Sequence, residues 1–506
     1  MTSKTQGIFR RLRIVVAMAA AAGLVWLLVS NGMDSVKYAG FLAKIQFLPA
    51  AMAFAISTIV AWLIITIIFG RIYCSTVCPL GTLQDAAARL ARLGSHKHHH
   101  RYHYQKPLSA LRYSILIMVA ASGILGVTLL ISLLDPYSIV ARFFVFTIKP
   151  LWSALLGLFD STPARLAAAS VSGIAIGTLS IAIIAWLAAV NGRVFCNSVC
   201  PVGTTLGLIS RHSAFHIDIN TDKCIQCRKC EHVCKARCID MTDHVIDASR
   251  CVVCFDCVPV CPNDAIHYTT NRHQLSIPLM QKIQTPVAGS PSGFTDSKAT
   301  ASAEKMLLDR RAFLATGLII AASPVIASTK KRRASLSGGL LAGQEALEPT
   351  IPVTPPGVYN RKLFLHRCTG CGLCISHCMT KVLRPSIDEY GILRLFHPVK
   401  DYNRAYCAYG CTRCSNICPS GALTPLTKEE KHHCAVGLAK VSLDRCIGCG
   451  SCASACPAKA IEMNVFDNRQ GQILPVVDAK ICIGCGACQY VCPATPAKAI
   501  IVNGLV

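Results

Sequence analysis

The sequence has few acidic residues, little charge of either sign and few aromatic rings. Only 15% of its 506 residues are charged, and Asp and Glu number 26 against 51 Lys and Arg. Soluble globular proteins carry about 25% charged residues, so part of this chain is expected to lie in lipid. No basic stretch is interleaved with the stacking aromatics of a nucleic-acid surface. The basic excess therefore predicts contact with a lipid bilayer and no nucleic-acid partner.

Two redox fingerprints are also missing from the sequence. No GxGxxG run precedes a helix pattern, and no CxxCH haem-attachment motif occurs. We therefore expect the chain to have no substrate-reducing centre of its own and to need redox partners at both ends.

Long apolar runs are present in the first part of the chain. They are residues 14–30, 47–70, 113–134 and 166–190. A spanning helix needs about 20 such residues, so the last three are predicted to cross the membrane and the first is of marginal length. Another apolar stretch, 143–159, is interrupted by Lys149 and Pro150 and is predicted to lie at the outer interface. The expected fold is a membrane α-helical bundle of four to five transmembrane helices.

An internal repeat organises this helical region. The segment GRIYCSTVCPLGT at 70–82 returns as GRVFCNSVCPVGT at 192–204. The amino terminus and the loop 71–112 are rich in Lys and Arg, which places both in the cytoplasm. The membrane part is therefore predicted to consist of two helix pairs, each ending in the same cysteine motif on the cytoplasmic side.

Most of the 30 cysteines fall into runs with the spacing of cluster ligands. The six runs are Cys224, Cys227, Cys230 and Cys234; Cys251, Cys254, Cys257 and Cys261; Cys368, Cys371, Cys374 and Cys378; Cys407, Cys411, Cys414 and Cys418; Cys446, Cys449, Cys452 and Cys456; and Cys482, Cys485, Cys488 and Cys492. Five runs have the C-x2-C-x2-C-x3-C spacing, and the run that begins at Cys407 is a variant with one extra residue. This spacing wraps three thiolates around one 4Fe–4S cluster, whereas structural zinc sites use paired CxxC units. The sequence therefore predicts six 4Fe–4S clusters in α+β domains of the bacterial ferredoxin type.

The fourth cysteine of such a run ligates the neighbouring cluster. We expect one cluster on Cys224, Cys227, Cys230 and Cys261, and its partner on Cys251, Cys254, Cys257 and Cys234. In the last four runs the sequence leaves two pairings open, the first run with the second or the first with the fourth. Cys238 and Cys434 lie outside every run and are expected to be small buried side chains.

The repeated CxxxCP motif supplies four further cysteines, with three open interpretations. They are Cys74, Cys78, Cys196 and Cys200. Cysteines at i and i+4 of a helix project from one face. Two such pairs on one side of the membrane can supply four ligands to a seventh cluster, form a redox-active thiol pair, or only close the helix ends.

Asp135 stands where the third long apolar stretch ends. An ionisable residue at that depth in a membrane is a candidate functional group, and quinol oxidation needs a proton acceptor. The alternative is that Asp135 only caps a helix.

These features divide the chain into five segments. They are a quinol-interacting transmembrane domain over 1–210, a cytoplasmic two-cluster domain over 211–275, a linker over 276–307, a signal-like transmembrane segment over 308–330 and a four-cluster domain over 331–506. The linker is rich in Ser, Thr, Pro and Gly, a composition typical of a connection between domains.

Two family resemblances follow from these motifs. Residues 1–270 resemble the NapH-type membrane ferredoxins of nitrate reductase systems, which share four helices, two CxxxCP motifs and a two-cluster domain with NosR-type proteins. Residues 305–506 resemble the NapG/MauM-type ferredoxins, which carry four clusters and enter the periplasm behind a twin-arginine signal. The matching positions are Arg310, Arg311, Phe313, Leu314, Pro355, Pro356 and Gly357, followed by the last four cysteine runs. The chain looks like a fusion of two subunits.

The resemblance implies a function at the bacterial cytoplasmic membrane. It implies oxidation of quinol from the membrane pool and electron delivery through 4Fe–4S clusters to a periplasmic reductase or multihaem cytochrome. The alternative is a membrane-bound ferredoxin that serves the maturation or reductive activation of a partner metalloenzyme.

The location of the last domain depends on a fifth crossing at 312–328. Four crossings return the chain to the cytoplasm, so only an odd crossing puts the final runs in the periplasm. The two arginines before the apolar core match a twin-arginine address. Lys330 to Arg333 oppose the crossing, because basic residues favour the cytoplasmic side.

Overall fold

The computed structural model describes residues 3–94, 102–157, 171–270, 351–466 and 471–505. The predicted linker 276–307, the segment 308–330 and the crossing at 312–328 lie outside these residues. The described parts of 1–274 and 347–506 belong to one compact unit. We call residues 3–210 the helical bundle, 211–270 the first cysteine-rich domain and 351–505 the final cysteine-rich domain.

The helical bundle contains long helices joined by short ones. Its helices are α1 Ser3–Val29, α2 Met33–Lys44, α3 Phe47–Met52, α4 Ile56–Phe69, α5 Tyr73–Thr76, α6 Pro79–Gly94, α7 Ser109–Ile124, α8 Leu129–Leu134, α9 Pro136–Phe143, α10 Lys149–Gly157, α11 Val171–Asn191, α12 Val194–Ser198 and α13 Pro201–Ser210. A π-helical turn, Phe144–Ile148, joins α9 to α10.

Three helices of the described chain are long and apolar enough to cross a membrane. They are Gly7–Val29, Pro136–Leu155 and Gly173–Asn191, with Ile56–Phe69 and Ser109–Ile124 as shorter apolar helices. The marginal length predicted for the first apolar stretch is wrong, because its apolar helix begins at Gly7 and is 23 residues long.

Lys149 and Pro150 interrupt the apolar run but do not end the helix, which continues through both residues. Pro150 occupies the first turn of α10, where proline is tolerated. The position of 143–159 at the outer interface stays a prediction.

Two of the predicted spans are broken by residues in the left-handed conformation. Phe54, with φ 55°, separates α3 from α4 inside 47–70. Gly126, with φ 72°, follows the end of α7 inside 113–134. A residue in the left-handed conformation after the last turn lets the N–H groups that follow bond to the free carbonyl groups at the helix end, and the helix stops there. Each predicted span therefore consists of a long helix and a short one.

The two repeated segments, 70–82 and 192–204, have the same local structure. The helices α4 and α11 each end at a glycine with positive φ, Gly70 at 75° and Gly192 at 69°. A short helix with the first cysteine of CxxxCP follows, and proline then begins the next helix, α6 or α13. Proline suits this position because a first-turn N–H has no partner within the helix.

The two cysteine-rich domains are built from short helices and two-stranded antiparallel sheets. The first contains β1 His216–Ile219, α14 Lys229–Val233, β2 Ile239–Asp240, β3 Val245–Ile246 and β4 Ile266–Thr269. The final one contains α15 Arg361–Arg367, α16 Leu373–Ser376, β5 Leu383–Pro385, β6 Pro398–Lys400, α17 Arg413–Ile417, α18 Lys428–His433, β7 Gly437–Val441, α19 Ser451–Ser454, β8 Ile461–Phe466, β9 Gln472–Val477, α20 Ala487–Val491 and β10 Ile500–Gly504. The pairs are β1 with β4, β2 with β3, β5 with β6, β7 with β10 and β8 with β9.

The register of these pairs brings distant parts of each domain together. His216 faces Thr269 across β1 and β4, so the ends of the first domain meet. Ile500 faces Val441 across β10 and β7. The predicted α+β ferredoxin-type architecture is confirmed for both domains.

The first cysteine-rich domain contacts one end of the helical bundle. Near the start of α1, Arg10 forms a 3.0 Å ion pair with Asp256. At the end of α4, the carbonyl of Phe69 accepts a 3.0 Å hydrogen bond from the Tyr268 hydroxyl. At the start of α7, Arg112 donates to the Ser249 carbonyl over 2.9 Å.

The final cysteine-rich domain contacts the opposite ends of the same helices. At the end of α1, the Leu28 carbonyl accepts a 3.1 Å hydrogen bond from the Ser376 hydroxyl. Just before α4, the Arg367 guanidinium lies 5.1 Å from the centre of the Phe54 ring. The helix α1 has 27 residues and is about 40 Å long, so the two domains contact ends of the bundle that are a membrane thickness apart.

A buried carboxylate ties the bundle to the first cysteine-rich domain. Asp85, on α6, pairs with Arg193 at 2.9 Å, with Lys235 at 3.5 Å and with Arg13 at 3.5 Å. Burial alone raises the pKa of Asp85, but Arg193 and Lys235 outweigh it and hold that pKa well below its usual range. The carboxylate is therefore charged at every pH at which the protein is expected to work.

We expect Asp85→Asn to destabilise the chain strongly. The substitution leaves buried cations without their counter-charge, a change that costs about 3–5 kcal/mol. Thermal unfolding in detergent, followed by tryptophan fluorescence, measures it. The loss applies near neutral pH and shrinks as the pH falls towards the lowered pKa of the carboxyl, since wild-type Asp85 is then protonated too.

Glu389→Gln is the control for this experiment. Glu389 pairs with Arg384 at a partly exposed site, so its replacement is expected to change little. Equal melting temperatures for wild type and Asp85→Asn would contradict the structural role of Asp85.

Candidate metal centres

Five cavities in the two cysteine-rich domains are each lined by four cysteines. The sets are Cys224, Cys227, Cys230 and Cys261; Cys368, Cys371, Cys374 and Cys418; Cys378, Cys407, Cys411 and Cys414; Cys446, Cys449, Cys452 and Cys492; and Cys456, Cys482, Cys485 and Cys488. The same number of cysteines in every cavity indicates that all five hold the same kind of group.

Each cavity combines three cysteines of one run with the last cysteine of another. The first cavity brings together the cysteines that the crossed scheme assigns to one cluster of the first domain. In the final domain the first run pairs with the second, and the third with the fourth. The sequence had left this pairing open, because spacing within a run does not say which runs pack together.

The thiols converge because the loops turn through left-handed residues. In five of the six runs, the second and fourth residues after the first cysteine have positive φ. They are Gln226 and Arg228, Val253 and Phe255, Gly370 and Gly372, Gly448 and Gly450, and Gly484 and Gly486. When right-handed and left-handed backbone conformations alternate along a loop, successive N–H groups point into one concave surface. Such a surface binds anionic groups, and a thiolate-bound cluster is one of them. In the first domain side-chain-bearing residues adopt this conformation, which is uncommon outside glycine.

The sixth set, Cys234, Cys251, Cys254 and Cys257, is also brought together. The Cys257 thiol interacts electrostatically with Cys254, Cys251 and Cys234. Cys238, one of the two cysteines outside the runs, is buried with its sulfur 3.6 Å from that of Cys234. Cys434, the other, is buried as well.

The donor sets fit iron–sulfur clusters better than single ions. The described ranges contain no group of three or more His, Cys, Asp or Glu arranged to hold one metal ion. Burial raises the pKa of Cys371 to about 12 and that of Cys254 to about 12. These thiols therefore stay protonated near neutral pH unless a bound cation displaces the proton. A 4Fe–4S cluster supplies that positive charge and, when bound, one-electron redox chemistry.

The two CxxxCP motifs meet inside the helical bundle. Cys74, Cys78, Cys196 and Cys200, which we call the tetracysteine site, are all buried and none forms a disulfide. The thiol of Cys78 interacts electrostatically with those of Cys74 and Cys196. The expected single helix with cysteines at i and i+4 is wrong, because Pro79 begins a new helix directly after Cys78.

Two arginines of the repeat lie beside the tetracysteine site. Arg71 approaches the Cys74 sulfur to 3.8 Å, and Arg193 donates to the Cys74 carbonyl over 2.7 Å. The Cys196 thiol donates to the side-chain oxygen of Gln84 over 3.3 Å. Arg71, Arg193 and Gln84 were not predicted as site residues from the sequence. The signal that could have revealed the two arginines is their equivalent position in the repeated segments.

Asp135 is fully buried and caps α9. Its carboxylate accepts hydrogen bonds from the Tyr137 and Ser138 amides, at 3.4 and 3.0 Å, and from the Ser138 hydroxyl at 2.6 Å. It also interacts electrostatically with Tyr73, next to the tetracysteine site, and with Cys371 in the final domain. Asp135 therefore lies between two cysteine sites that are far apart in the sequence.

We expect Cys378→Ser to expose three cysteines of the following run. Cys378 shares its cavity with Cys407, Cys411 and Cys414. Loss of one ligand should release the group from that cavity and make these three thiols reactive towards an alkylating reagent under native conditions. Peptide mass spectrometry locates the modified cysteines.

Cys434→Ser is the control, because Cys434 is buried but belongs to none of the five cavities. Its alkylation pattern should match that of the wild type. If Cys378→Ser instead made Cys368 and Cys371 reactive, the crossed arrangement would be wrong.

Comparison with protein families identifies iron–sulfur domains in both halves of the chain. A 4Fe–4S binding domain matches residues 51–97 and 174–220, which contain the two CxxxCP motifs. A 4Fe–4S dicluster domain matches residues 367–429 and 445–495. Each of the latter matches contains two runs whose cysteines share cavities. No solved structure matches the chain significantly.

Similar proteins include ferredoxin-type proteins and an electron transport protein. The ferredoxin-type protein NapH of Escherichia coli is 26% identical over 266 residues, which are 49% of this chain and 81% of that protein. The putative electron transport protein YccM of Escherichia coli is 27% identical over 243 residues, which are 47% of this chain and 60% of YccM.

A third relative is the methylamine utilization ferredoxin-type protein MauM of Methylobacillus flagellatus. It is 27% identical over 155 residues, which are 29% of this chain and 65% of MauM. The chain thus spans less than two thirds of YccM and of MauM. Its homologues are ferredoxin-type proteins with 4Fe–4S domains, and its organisation fits a NapH-like ferredoxin fused to a second ferredoxin.

Proposed function

We propose that the chain oxidises quinol in the bacterial cytoplasmic membrane and carries the electrons through six 4Fe–4S clusters to a periplasmic reductase or multihaem cytochrome. The observation that carries this proposal is the position of the two cysteine-rich domains at opposite ends of α1. Arg10 contacts the first domain, and Leu28 contacts the final one. This arrangement supports electron transfer from the ferredoxin-type domain at one end of the bundle to the one at the other end.

A packing contact and two electrostatic interactions connect the two cysteine-rich domains through the bundle. Cys254 of the first domain packs against the buried residues that include Cys78 and Tyr73. Tyr73 interacts electrostatically with Asp135, and Asp135 with Cys371 of the final domain. This series supports a path for electrons that does not leave the protein.

The proposal assigns the membrane crossings and domains as follows. The four spans are the predicted stretches 14–30, 47–70, 113–134 and 166–190, with 143–159 at the outer interface. The segment 308–330 carries the chain across a fifth time behind a twin-arginine signal. The boundaries are those expected from the sequence, with 1–210 in the membrane, 211–275 in the cytoplasm and 331–506 in the periplasm. Contact of the final domain with the far end of α1 supports an odd number of crossings before it.

Asp135 is proposed to accept a proton from the quinol. It is the acidic side chain buried where α8 meets α9, and the Arg142 guanidinium interacts with it electrostatically. Quinol oxidation releases protons along with electrons, so a buried carboxylate near Tyr73 and Cys371 is well placed to receive one.

We expect Asp135→Asn to slow quinol-driven reduction by about 100-fold, a magnitude typical of the loss of a general base. Asparagine caps helices about as well as aspartate, so the fold should be kept while the proton acceptor is lost. The measurement is optical reduction of the purified protein by quinol in liposomes. Asp34→Asn, at an exposed acid near the start of α2, is the matched control. A wild-type rate for Asp135→Asn would leave Asp135 as a cap only.

We expect a protease-sensitive tag fused after Val506 to be cleaved by external protease in intact spheroplasts. The same tag at the amino terminus should be protected, because the proposal puts the two ends on opposite sides. Changing both Arg310 and Arg311 to Lys should prevent cleavage of the carboxy-terminal tag. Protection of that tag in the wild type would contradict the periplasmic acceptor.

A further inference from the structure

One cavity of the final cysteine-rich domain is surrounded by positive charge. It is the cavity of Cys378, Cys407, Cys411 and Cys414, which we call the cationic cavity. We propose that Lys431 holds the loop of this cavity and gives the cluster bound there the highest reduction potential in the final domain. This inference rests on the proposed function in that electrons pass through 4Fe–4S clusters, and it adds the centre at which they collect.

The loop of the cationic cavity lacks the backbone conformation of the other five runs. Those runs have residues of positive φ at the second and fourth positions after the first cysteine. Residues 407–418, all of which the structure describes, include no residue of positive φ, although Gly410 is among them. The run with the extra residue therefore lacks the alternating turn that points N–H groups into a cavity. A positive group that faces an anionic cluster has to come from another segment here.

The ammonium group of Lys431 occupies that place. Lys431 lies in α18 and is only 3% exposed. Its Nζ donates to the Ala408 carbonyl, to the Cys411 carbonyl over 2.5 Å and to the Cys407 sulfur over 3.6 Å. One ammonium group thus contacts both ends of the loop between the first two cysteines of the variant run.

No carboxylate balances this buried ammonium group among the residues that the structure describes. None of their ion pairs includes Lys431. The two acids that precede it on α18 are exposed, and the Glu430 carboxylate accepts a 2.8 Å hydrogen bond from the Thr427 amide. A buried cation whose partners are carbonyl oxygens and a sulfur favours an anionic group beside it. A thiolate-bound 4Fe–4S cluster is such a group.

Two further cations line the same cavity. They are Lys400, which is 7% exposed, and Arg413. Lys400 interacts electrostatically with Cys414 here and with Cys485 of a neighbouring cavity. The linings of the other three cavities of the final domain contain no Asp, Glu, Lys or Arg. The charge of its surroundings therefore distinguishes the cationic cavity from its neighbours.

This charge favours the reduced state of a cluster. Reduction adds one electron, so a nearby cation stabilises the reduced cluster more than the oxidised one, and hydrogen bonds to the ligand sulfurs act in the same direction. Lys431 makes both contributions, because it carries the charge and donates to the Cys407 sulfur. Little water screens the buried ammonium group. We therefore expect the cationic cavity to hold the first cluster of the final domain to be reduced.

The cationic cavity also lies between two other cavities. On one side, the Cys374 thiol of the cavity next to Asp135 interacts electrostatically with Cys414. On the other side, the Cys407 amide donates to the Cys485 carbonyl over 2.9 Å. A centre of high potential at this place would collect electrons that arrive from the bundle before they continue towards Cys485.

An EPR-monitored redox titration of the anaerobically purified full chain tests the order of potentials. A chemical reductant with mediators sets the potential, so the measurement does not use quinol. Serine variants of Cys378, Cys418, Cys456 and Cys492 each remove one ligand from a different cavity and so assign the four components of the final domain. The component lost in Cys378→Ser should have the highest potential of the four. Cys434→Ser, which alters none of these cavities, should retain all components.

Lysine variants test the role of the charge. Lys431→Met keeps the length of the side chain and removes its charge. The equilibrium constant for reduction of the assigned component should fall at least tenfold, which is about 59 mV for a one-electron step. Lys431→Arg, which keeps the charge, should shift this potential less. Lys428→Met, at an exposed lysine of the same helix, is the matched control and should leave every component at its wild-type potential.

Three results would overturn the inference. They are an unchanged potential in Lys431→Met, a component lost in Cys378→Ser that is not the highest of the four, and loss of about four irons, one cubane, from both Lys431→Met and Lys431→Arg. Loss of these irons from Lys431→Met alone would support the need for positive charge at this cavity.

The titration separates this inference from the proposed function. An unchanged potential in Lys431→Met, with a wild-type chain that oxidises quinol, would reject the role of Lys431 and keep the proposed function. A lowered potential in Lys431→Met, with a wild-type chain that does not oxidise quinol, would do the reverse.

Discussion

The buried carboxylate of Asp85 is the interaction on which the rest of the arrangement depends. It holds Arg13 of α1, Arg193 of the second repeat and Lys235 of the first cysteine-rich domain in one charge cluster. Burying Arg13, Arg193 and Lys235 costs desolvation free energy. Ion pairs with the Asp85 carboxylate offset this cost when the three cations lie close to it. The Asp85 carboxylate therefore links helix, repeat and domain, and Asp256 reinforces the link by pairing with Lys235 at 3.0 Å and with Arg10 at 3.0 Å. Arg193, held in this way, then reaches the first CxxxCP motif.

The second constraint is that cysteine ligands must come from segments that are distant in sequence. Cavities in the cysteine-rich domains join three cysteines of one run with one of another, so a bound cluster crosslinks two loops. In the bundle, residues of the two repeats also meet: Arg71 donates to the Cys196 carbonyl and Arg193 donates to the Cys74 carbonyl. Because the four cysteines of each cavity come from two runs, a cluster bound there would couple its own binding to the folding of the cysteine-rich domain.

The final cysteine-rich domain and the helical bundle, which match different ferredoxin-type proteins, contact each other within one chain. The final cysteine-rich domain packs on the ends of α1 and α4 that lie away from the first domain. Its first cavity lies close to Asp135 and Tyr137, whose hydroxyl interacts electrostatically with Cys371. Covalent linkage keeps these surfaces at high effective concentration, so the contact does not depend on the encounter of two subunits.

Much of the molecule was predictable from its residues alone. Cysteine spacing determined the class of cofactor, because ligand number and loop length are local properties of the chain. The hydropathy pattern predicted apolar helices long enough to cross a membrane, and the repeat predicted that the two cysteine motifs are equivalent. The ends of helices were less predictable, since Phe54 and Gly126 break apolar stretches through backbone conformation that composition does not report.

Only the tertiary structure decided which distant residues meet. It paired the first run of the final domain with the second, joined Cys74 and Cys78 to Cys196 and Cys200, and left Arg71 buried without a carboxylate. It also put the two cysteine-rich domains at opposite ends of α1. The physical reason is that motif spacing constrains a few neighbouring residues, whereas the shared cavities and the arginine contacts depend on packing between separate segments. The cavities join different cysteine runs, and the contacts of Arg71 and Arg193 join segments more than 100 residues apart.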